Sequence, residues 1–81
     1  MAWYVYMVRC SDDTLYTGVT TDVKRRVEEH NSEKKGAKYT KARQPVELVF
    51  KVMAKDRSKA QMKEAQLRKM SRADKLVMLQ K

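Results

Sequence analysis

The chain has 81 residues, with 19 Lys or Arg, 10 Asp or Glu and a formal net charge of +9. A chain of this length has room for one small folded domain, so we expect residues 1–81 to form a single domain. The single cysteine, Cys10, excludes an internal disulfide bond, and no apolar run approaches the ~20 residues of a membrane span, so we expect a soluble protein of the reducing cytoplasm that makes no membrane contact.

Positive charge is concentrated in the later part of the chain. Residues 1–33 hold four Lys or Arg against six Asp or Glu, whereas residues 34–81 hold fifteen against four. Clustered cations favour a polyanion partner, because neutralising phosphates releases their counterions. Nucleic acid is therefore favoured over a generally basic protein or one that touches acidic lipid.

The first elements are predicted to be two strands of a hairpin. Residues 3–10 are apolar on both alternating faces, which is typical of a central strand covered on both sides, and residues 15–19 return after a Ser-Asp-Asp turn. The register depends on the loop. A loop of three or five residues would place Tyr6 and Tyr16 on the same face, with Tyr6 near Gly18, whereas a two-residue loop would place the tyrosines on opposite faces.

A helix is predicted after the hairpin, capped by Thr21 or Asp22 and running to about Asn31. At about 100° per residue, one stripe along this helix is formed by Val23, Val27 and His30. Arg26 lies at the edge of that stripe and Arg25 points nearly opposite. Arg26 is therefore the arginine predicted to reach inward.

Residues 32–45 are predicted to be a basic loop. Its cations, with no acid after Glu33, are Lys34, Lys35, Lys38, Lys41 and Arg43. The stretch 38–41 resembles a clamp for a nucleic-acid backbone, in which the lysines follow phosphates and Tyr39 stacks on a base. The alternative is a solvated turn.

The rest of the chain predicts a third strand and two helices. Residues 46–53 alternate, with one clearly apolar face that comprises Val46, Leu48, Phe50 and Val52. Asp56 or Ser58 starts a helix to about Met70, and residues 71–74 form a capping box that opens a last helix. The order β-β-α-β-α-α predicts an α/β protein of the α+β type, with a small three-stranded antiparallel or mixed sheet flanked by helices.

Two short motifs carry a family resemblance, Tyr4-Val5-Tyr6 and Tyr16-Thr17-Gly18. Arg26 follows the motif glycine by eight residues, and Glu64 lies in the later helix. In this order and spacing the chain resembles, over nearly its whole length, a minimal GIY-YIG nuclease domain, specifically the small stand-alone and largely uncharacterised GIY-YIG proteins of bacteria. Tyr4 stands where the first family motif has its glycine.

The resemblance implies roles for the tyrosines and the motif glycine. It makes Tyr16 a general base or water-orienting group, although an ordinary tyrosine pKa of about 10 requires a cation, a metal or a second proton acceptor to help. The alternative is a sheet tyrosine with a buried ring and a hydrated hydroxyl. Tyr6 would hydrogen-bond the nucleophile or the phosphate. Gly18 would let a phosphate or Tyr6 approach the strand closely.

The remaining site residues lie on the helices. Arg26 would hold a phosphate oxygen and offset charge in the transition state. His30 would relay a proton or orient the water, or else be a half-buried structural ring. Glu64 would bind a single Mg²⁺ or Mn²⁺, with waters and the substrate phosphate completing the shell, unless it is a salt-bridged structural residue.

Two functions remain open at this stage. The first is metal-dependent, endonuclease-like hydrolysis of phosphodiester bonds, in DNA rather than RNA. The second is a non-catalytic nucleic-acid-binding module, which the lack of an asparagine after Glu64 favours, since Asn31 is the only one in the chain. With no separate recognition domain expected, cleavage would have low sequence specificity, be directed by structure, or depend on a protein partner.

Overall fold

The computed structural model of the protein describes residues 2–32 and 38–79. In chain order its elements are β1 (Trp3–Arg9), β2 (Leu15–Thr20), α1 (Val23–His30), α2 (Lys38–Lys41), β3 (Glu47–Ala54), α3 (Arg57–Lys69) and α4 (Arg72–Leu79). The predicted order is confirmed. The one-turn helix α2 is an addition, in a segment that was predicted to be a loop.

The three strands form one antiparallel sheet with the order β2-β1-β3. β1 is the central strand, as its two apolar faces predict. The hairpin pairs Tyr6 with Gly18 and Val8 with Tyr16, and the last pair, Arg9 with Leu15, leaves a five-residue loop. Tyr6 and Tyr16 therefore project from the same face of the sheet, as the five-residue alternative predicted.

The two faces of the sheet are covered by different helices. The Tyr6 face, under α1, carries the buried cluster Tyr6, Val8, Cys10, Val23 and Val46. The Met7 face, under α3, carries the buried cluster Val5, Met7, Ala60 and Leu67. Alternation along β1 sends even-numbered residues to one cluster and odd-numbered residues to the other.

The prediction that β3 has a single apolar face is wrong. The pairing of β1 with β3 shifts between Met7 and Val8, so that Phe50 pairs with Met7 while Leu48 pairs with Val8. Residues that pair directly across two strands share a face, so Leu48 lies on the Tyr6 face and Phe50 on the Met7 face. The extra residue of β3 at this irregularity reverses the alternation of the strand.

Side-chain caps begin the three longer helices. Asp22 accepts a hydrogen bond from the Arg25 backbone N–H, and Asp56 accepts one from the Lys59 backbone N–H at 2.9 Å. The Ser71 hydroxyl accepts the backbone N–H of Asp74 at 3.1 Å, as the capping box predicts. These caps satisfy N–H groups that have no partner inside the helix. Over residues 2–32 and 38–79, no helix is long and apolar enough to cross a membrane.

Candidate active site

A buried chain of three polar side chains lies at the centre of the Tyr6 face. The Tyr6 hydroxyl is 2.6 Å from His30 Nε2, and His30 Nδ1 is 2.8 Å from the Thr40 hydroxyl. All three side chains are almost completely inaccessible to solvent. Burying polar groups is costly unless each finds a partner, and here every one of them does.

Each member of the chain comes from a different element. Tyr6 belongs to the central strand, His30 is the last residue of α1, and Thr40 lies in α2. The end of α1 is anchored by Asn31, whose amide bonds the Val46 backbone N–H at 2.7 Å and the Val46 carbonyl at 3.1 Å. The only asparagine of the chain therefore serves to join α1 to the segment before β3.

Arg26 lies beside this chain and reaches inward, at the phase predicted from the helix stripe. Its side chain is 28% exposed, whereas that of Arg25 is 62% exposed. Arg26 Nη1 donates to Glu29 Oε1 at 2.9 Å, and the positive charge of Arg26 acts on Tyr6, where it lowers the pKa of the hydroxyl. Its guanidinium is thus held close to the Tyr6 hydroxyl while part of it stays accessible to solvent.

Gly18 lies directly under the Tyr6 ring. A Cβ at this position would be 2.6 Å from the Tyr6 hydroxyl oxygen and 2.8 Å from Cζ. Contacts that short do not occur between real side chains, so the absence of a side chain at Gly18 allows the ring to lie against β2. This is the close approach of Tyr6 that the sequence predicts for the motif glycine.

Tyr16 forms the outer side of the site. Its ring meets His30 edge-on, with the centroids 5.2 Å apart, and stacks on Tyr39 at 5.8 Å. The Arg43 guanidinium lies 4.0 Å from the Tyr39 centroid. No residue in the described part of the chain hydrogen-bonds the Tyr16 hydroxyl. The predicted stacking of Tyr39 on a base would compete with the ring and guanidinium contacts that it already makes.

Burial shifts the pKa values of Tyr6 and His30 in opposite directions. Burial raises the pKa of Tyr6 to about 12; the nearby guanidinium of Arg26 opposes this rise, and Tyr16 and Glu64 add to it. Burial, followed by the positive charge of Arg26, lowers the pKa of His30 to about 4, against a smaller opposite effect of Glu29. At neutral pH the tyrosine is therefore protonated and the imidazole is neutral.

Glu64 is the only carboxylate of α3 and is partly buried, with 21% of its side chain exposed. Arg68 Nη2 lies 3.4 Å from its carboxylate and donates to the Thr17 carbonyl at 3.1 Å. Within residues 2–32 and 38–79, no three His, Cys, Asp or Glu side chains come together as a metal site. A single carboxylate fits a Mg²⁺-like ion that keeps most of its waters, provided that substrate oxygens complete the shell.

The predicted basic contacts divide into three groups. Lys34 and Lys35 lie outside the described residues. Lys38 and Lys41 are exposed on α2. Arg43 is engaged within the protein, because its Nε lies 2.9 Å from Asp12 and its Nη1 donates to the Tyr39 carbonyl at 3.0 Å.

Sequence reasoning gave no role to Thr40 or to Glu29. Thr40 lies between a tyrosine and a lysine, in the stretch that was interpreted as a clamp for a nucleic-acid backbone. Its side chain is uncharged and β-branched, and this was the only sign in the sequence that the residue would be buried. Glu29 follows Arg26 by three residues, a spacing at which helix side chains meet, so its pairing with Arg26 was accessible from the sequence.

Comparison with known proteins agrees with the resemblance seen in the motifs. The GIY-YIG catalytic domain family matches residues 2–77. A UPF0213 protein of Syntrophus aciditrophicus is 54% identical over 76 residues, which cover 94% of this chain and 87% of that protein. A UPF0213 protein of Desulfotalea psychrophila is 51% identical over 70 residues, which cover 86% of this chain and 64% of that protein. This chain thus spans less than two thirds of the length of the second relative.

A solved structure shows the same likeness in three dimensions. The solution NMR structure of the UPF0213 protein BH0048 from Bacillus halodurans has a TM-score of 0.63 and 40% sequence identity, covering 99% of this chain and 84% of that chain. The motifs and the fold are in accord with the match over nearly the whole chain. The chain therefore belongs to the GIY-YIG family.

Proposed function

We propose that this protein hydrolyses phosphodiester bonds in DNA as a metal-dependent endonuclease, with low sequence specificity or with specificity for DNA structure. The observation that carries the proposal is the hydrogen bond between the protonated Tyr6 and the neutral His30, with Arg26 beside it. This set combines a buried proton donor, a buried proton acceptor and a cation that is partly exposed to solvent. Membership of the GIY-YIG family supports nuclease chemistry at that site.

Tyr6 and His30 are proposed to move the proton of the attacking water. The Tyr6 oxygen takes a proton from the water as its own proton passes to His30 Nε2, so that hydroxide attacks phosphorus and His30 becomes an imidazolium. After the bond to the leaving oxygen has broken, His30 returns its proton to Tyr6, and the proton that Tyr6 gives up passes to the leaving oxygen. Tyr16 orients the water, because its hydroxyl faces the same side of the sheet.

Arg26 is proposed to hold a non-bridging phosphate oxygen. Its guanidinium stabilises the charge that develops on phosphorus oxygens in the transition state, and Glu29 holds it in place. GIY-YIG nuclease domains generally use divalent metals. Mg²⁺ or Mn²⁺ at Glu64, bound together with the substrate, would neutralise phosphate charge.

The exposed lysines are proposed to bind the DNA backbone. Lys38 and Lys41 extend from α2 into solvent, and lysine contacts to phosphate position a nucleic acid without reading its bases. Low sequence specificity follows, unless a protein partner supplies it. Replacing both lysines by Gln should reduce the slope of log affinity against log salt by about 2 on duplex DNA, since each phosphate contact contributes about 0.9.

A non-catalytic nucleic-acid-binding module is the second candidate. The observation that favours it is the ion pair between Arg68 and Glu64, because a guanidinium at 3.4 Å competes with a metal for the carboxylate. The same positive surface would then bind nucleic acid without cutting it.

The two candidates are separated by incubating the protein with labelled single-stranded, duplex and branched DNA and with RNA, in Mg²⁺, Mn²⁺ or EDTA. The proposal predicts cutting of DNA that EDTA abolishes. Arg26→Ala should lower the rate by about 10²-fold, as expected when a charged transition-state contact is lost, while the matched control Arg25→Ala cuts at nearly the wild-type rate. Glu64→Gln should remove the metal-stimulated cutting. Tight binding without cutting would establish the module instead.

A further inference from the structure

We propose that Thr40 is a positioning residue: its hydroxyl accepts the Nδ1–H of His30 and so fixes the imidazole tautomer whose Nε2 lone pair faces Tyr6. The position of this proton is a property of the folded protein, whether or not it cuts DNA. The consequence for the reaction rests on the proposed function.

The Tyr6 oxygen and His30 Nε2 share one hydrogen bond, with the two atoms 2.6 Å apart. A hydroxyl can donate or accept, so this bond is compatible with either imidazole tautomer. The direction of the bond therefore depends on the charged group that lies beside the Tyr6 oxygen.

That charged group is Arg26. A guanidinium has only donors, and its positive charge acts on the Tyr6 hydroxyl, so the lone pairs of the tyrosine oxygen face Arg26. The one proton of the tyrosine then remains for His30. In a neutral imidazole one nitrogen carries hydrogen when the other accepts, so Nδ1 carries it, and the acceptor 2.8 Å away is Thr40 Oγ1.

Thr40 is held firmly enough to select a tautomer. It is fully buried, and its carbonyl accepts the Arg43 backbone N–H at 3.0 Å. The Arg43 carbonyl in turn accepts the Ser11 backbone N–H at 2.9 Å, which connects α2 to the β1–β2 loop. These backbone hydrogen bonds therefore hold the Thr40 hydroxyl in place.

Four titratable or charged groups of the described residues face the His30 ring: Tyr6, Tyr16, Arg26 and Glu29. Tyr6 is the partner of Nε2, Tyr16 meets the ring edge-on, and Arg26 and Glu29 act on it through their charges. The hydrogen bond to Nδ1 comes from an uncharged group, the Thr40 hydroxyl at 2.8 Å.

The opposite tautomer would not support the proton transfer. An Nε2–H would point at the Tyr6 oxygen, together with the Arg26 donor, and would leave no lone pair to take the tyrosine proton. Thr40 would thus act on the reaction through His30 without touching the substrate. In the same way, many catalytic sites contain a third residue that orients the histidine by a hydrogen bond to the ring nitrogen that does not take the proton.

The test compares three variants of buried threonines. Thr40→Val keeps the shape and removes the hydroxyl, and Thr40→Ser keeps the hydroxyl. Thr17→Val is the matched control: the Thr17 hydroxyl is also buried, pairs with no hydrogen-bond partner among the described residues, and lies on the Met7 face.

The first readout is the ¹⁵N chemical shifts of the imidazole ring, which come from one residue because His30 is the only histidine. At neutral pH we expect Nδ1 protonated and Nε2 unprotonated in wild type, in Thr40→Ser and in Thr17→Val, and a mixture of tautomers in Thr40→Val. Protonated Nε2 in wild type would overturn the proposal, even if Thr40→Val failed to fold. An unchanged tautomer in folded Thr40→Val would also overturn it.

The second readout is the kinetics of cleavage. We expect kcat to fall by at least about tenfold in Thr40→Val, which is a part of the 10²–10⁴-fold that acid–base catalysis contributes, with KM unchanged and kcat restored in Thr40→Ser. A wild-type kcat in Thr40→Val would overturn the positioning role. If no form of the protein cuts, the proposed function fails, and the ring nitrogens alone decide the assignment of the tautomer.

Discussion

The two faces of the sheet are built by the same central strand but do different work. The Met7 face packs the apolar side chains of Val5, Met7, Ala60 and Leu67 under α3. The Tyr6 face places a hydroxyl, an imidazole and a second hydroxyl, all buried, between the sheet and the helices α1 and α2. Residues one position apart on β1 thus belong to an apolar core and to a polar site.

This difference shows how a chain of this size can combine an apolar core with a buried polar site. Apolar burial needs only a suitable volume, whereas buried polar groups need partners at defined distances. The Met7 face should therefore determine most of the stability. The Tyr6 face should be more sensitive to pH and to the position of single atoms.

The largest effect is expected from Leu67→Ala on the Met7 face. Leu67 is fully buried between α3 and the sheet, and truncating such a side chain costs about 2–5 kcal/mol of unfolding free energy. Urea unfolding measures this loss. Met62→Ala is the control, because Met62 is on the same helix and 55% exposed. The ring ¹⁵N shifts of His30 should stay unchanged; a change in them would mean that the two faces are not independent.

His30 should make the Tyr6 face sensitive to acid. Its pKa is lowered to about 4 in the folded protein, from 6.5 in the unfolded chain. Between these values the unfolded chain binds a proton that the folded protein does not, so stability is present above pH 6.5 and is lost as the pH falls toward 4. At about 1.4 kcal/mol per pH unit, the loss is about 3 kcal/mol.

Unfolding by urea at several pH values measures this loss, with His30→Gln as the comparison because glutamine hydrogen-bonds but does not titrate. The variant should lack the stability change between pH 6.5 and 4.5. Identical pH profiles for the variant and wild type would show that His30 is not held neutral by the fold.

Gly18→Ala should destabilise the Tyr6 face through a single methyl group. The new Cβ would meet the Tyr6 hydroxyl at 2.6 Å and would displace a ring that is buried, with 1% of the residue exposed. Overpacking of this kind costs about 1–3 kcal/mol. Thermal unfolding measures the cost, and the ring ¹⁵N shifts of His30 should change as Tyr6 moves. A variant with wild-type stability and shifts would contradict the close contact.

The smallest effect, and the only stabilising one, is expected from Thr17→Val. The Thr17 hydroxyl is buried with no hydrogen-bond partner within the described part of the chain, and it lies beside Met7. Replacing it by a methyl group of the same shape removes the cost of its desolvation, about 1 kcal/mol. Thr40→Val should destabilise instead. If urea unfolding showed that both substitutions change the free energy of unfolding in the same direction, the contrast between the two faces would be contradicted.

Local features of the fold were accessible from the sequence, and so was part of the site. The caps at Asp22, Asp56 and Ser71 and the inward phase of Arg26 depend on residues within one helical turn of one another. The same-face placement of Tyr6 and Tyr16 was one of two alternatives, because the loop length that decides the register was open.

The sequence by itself determined the order of the elements, the central position of β1, the Ser71 cap and the direction of Arg26, and it narrowed each of the other two caps to a pair of residues, since all of these follow from periodicity and from contacts between near neighbours. The tertiary structure decided the irregularity in β3, the pairing of Glu64 with Arg68, and the contact of Tyr6 with His30 and of His30 with Thr40. Strand pairing and burial bring together side chains that are far apart in the chain. They also decide which of several nearby residues on one helix a side chain contacts, where the sequence pattern allows more than one. Only the packed fold selects the partner.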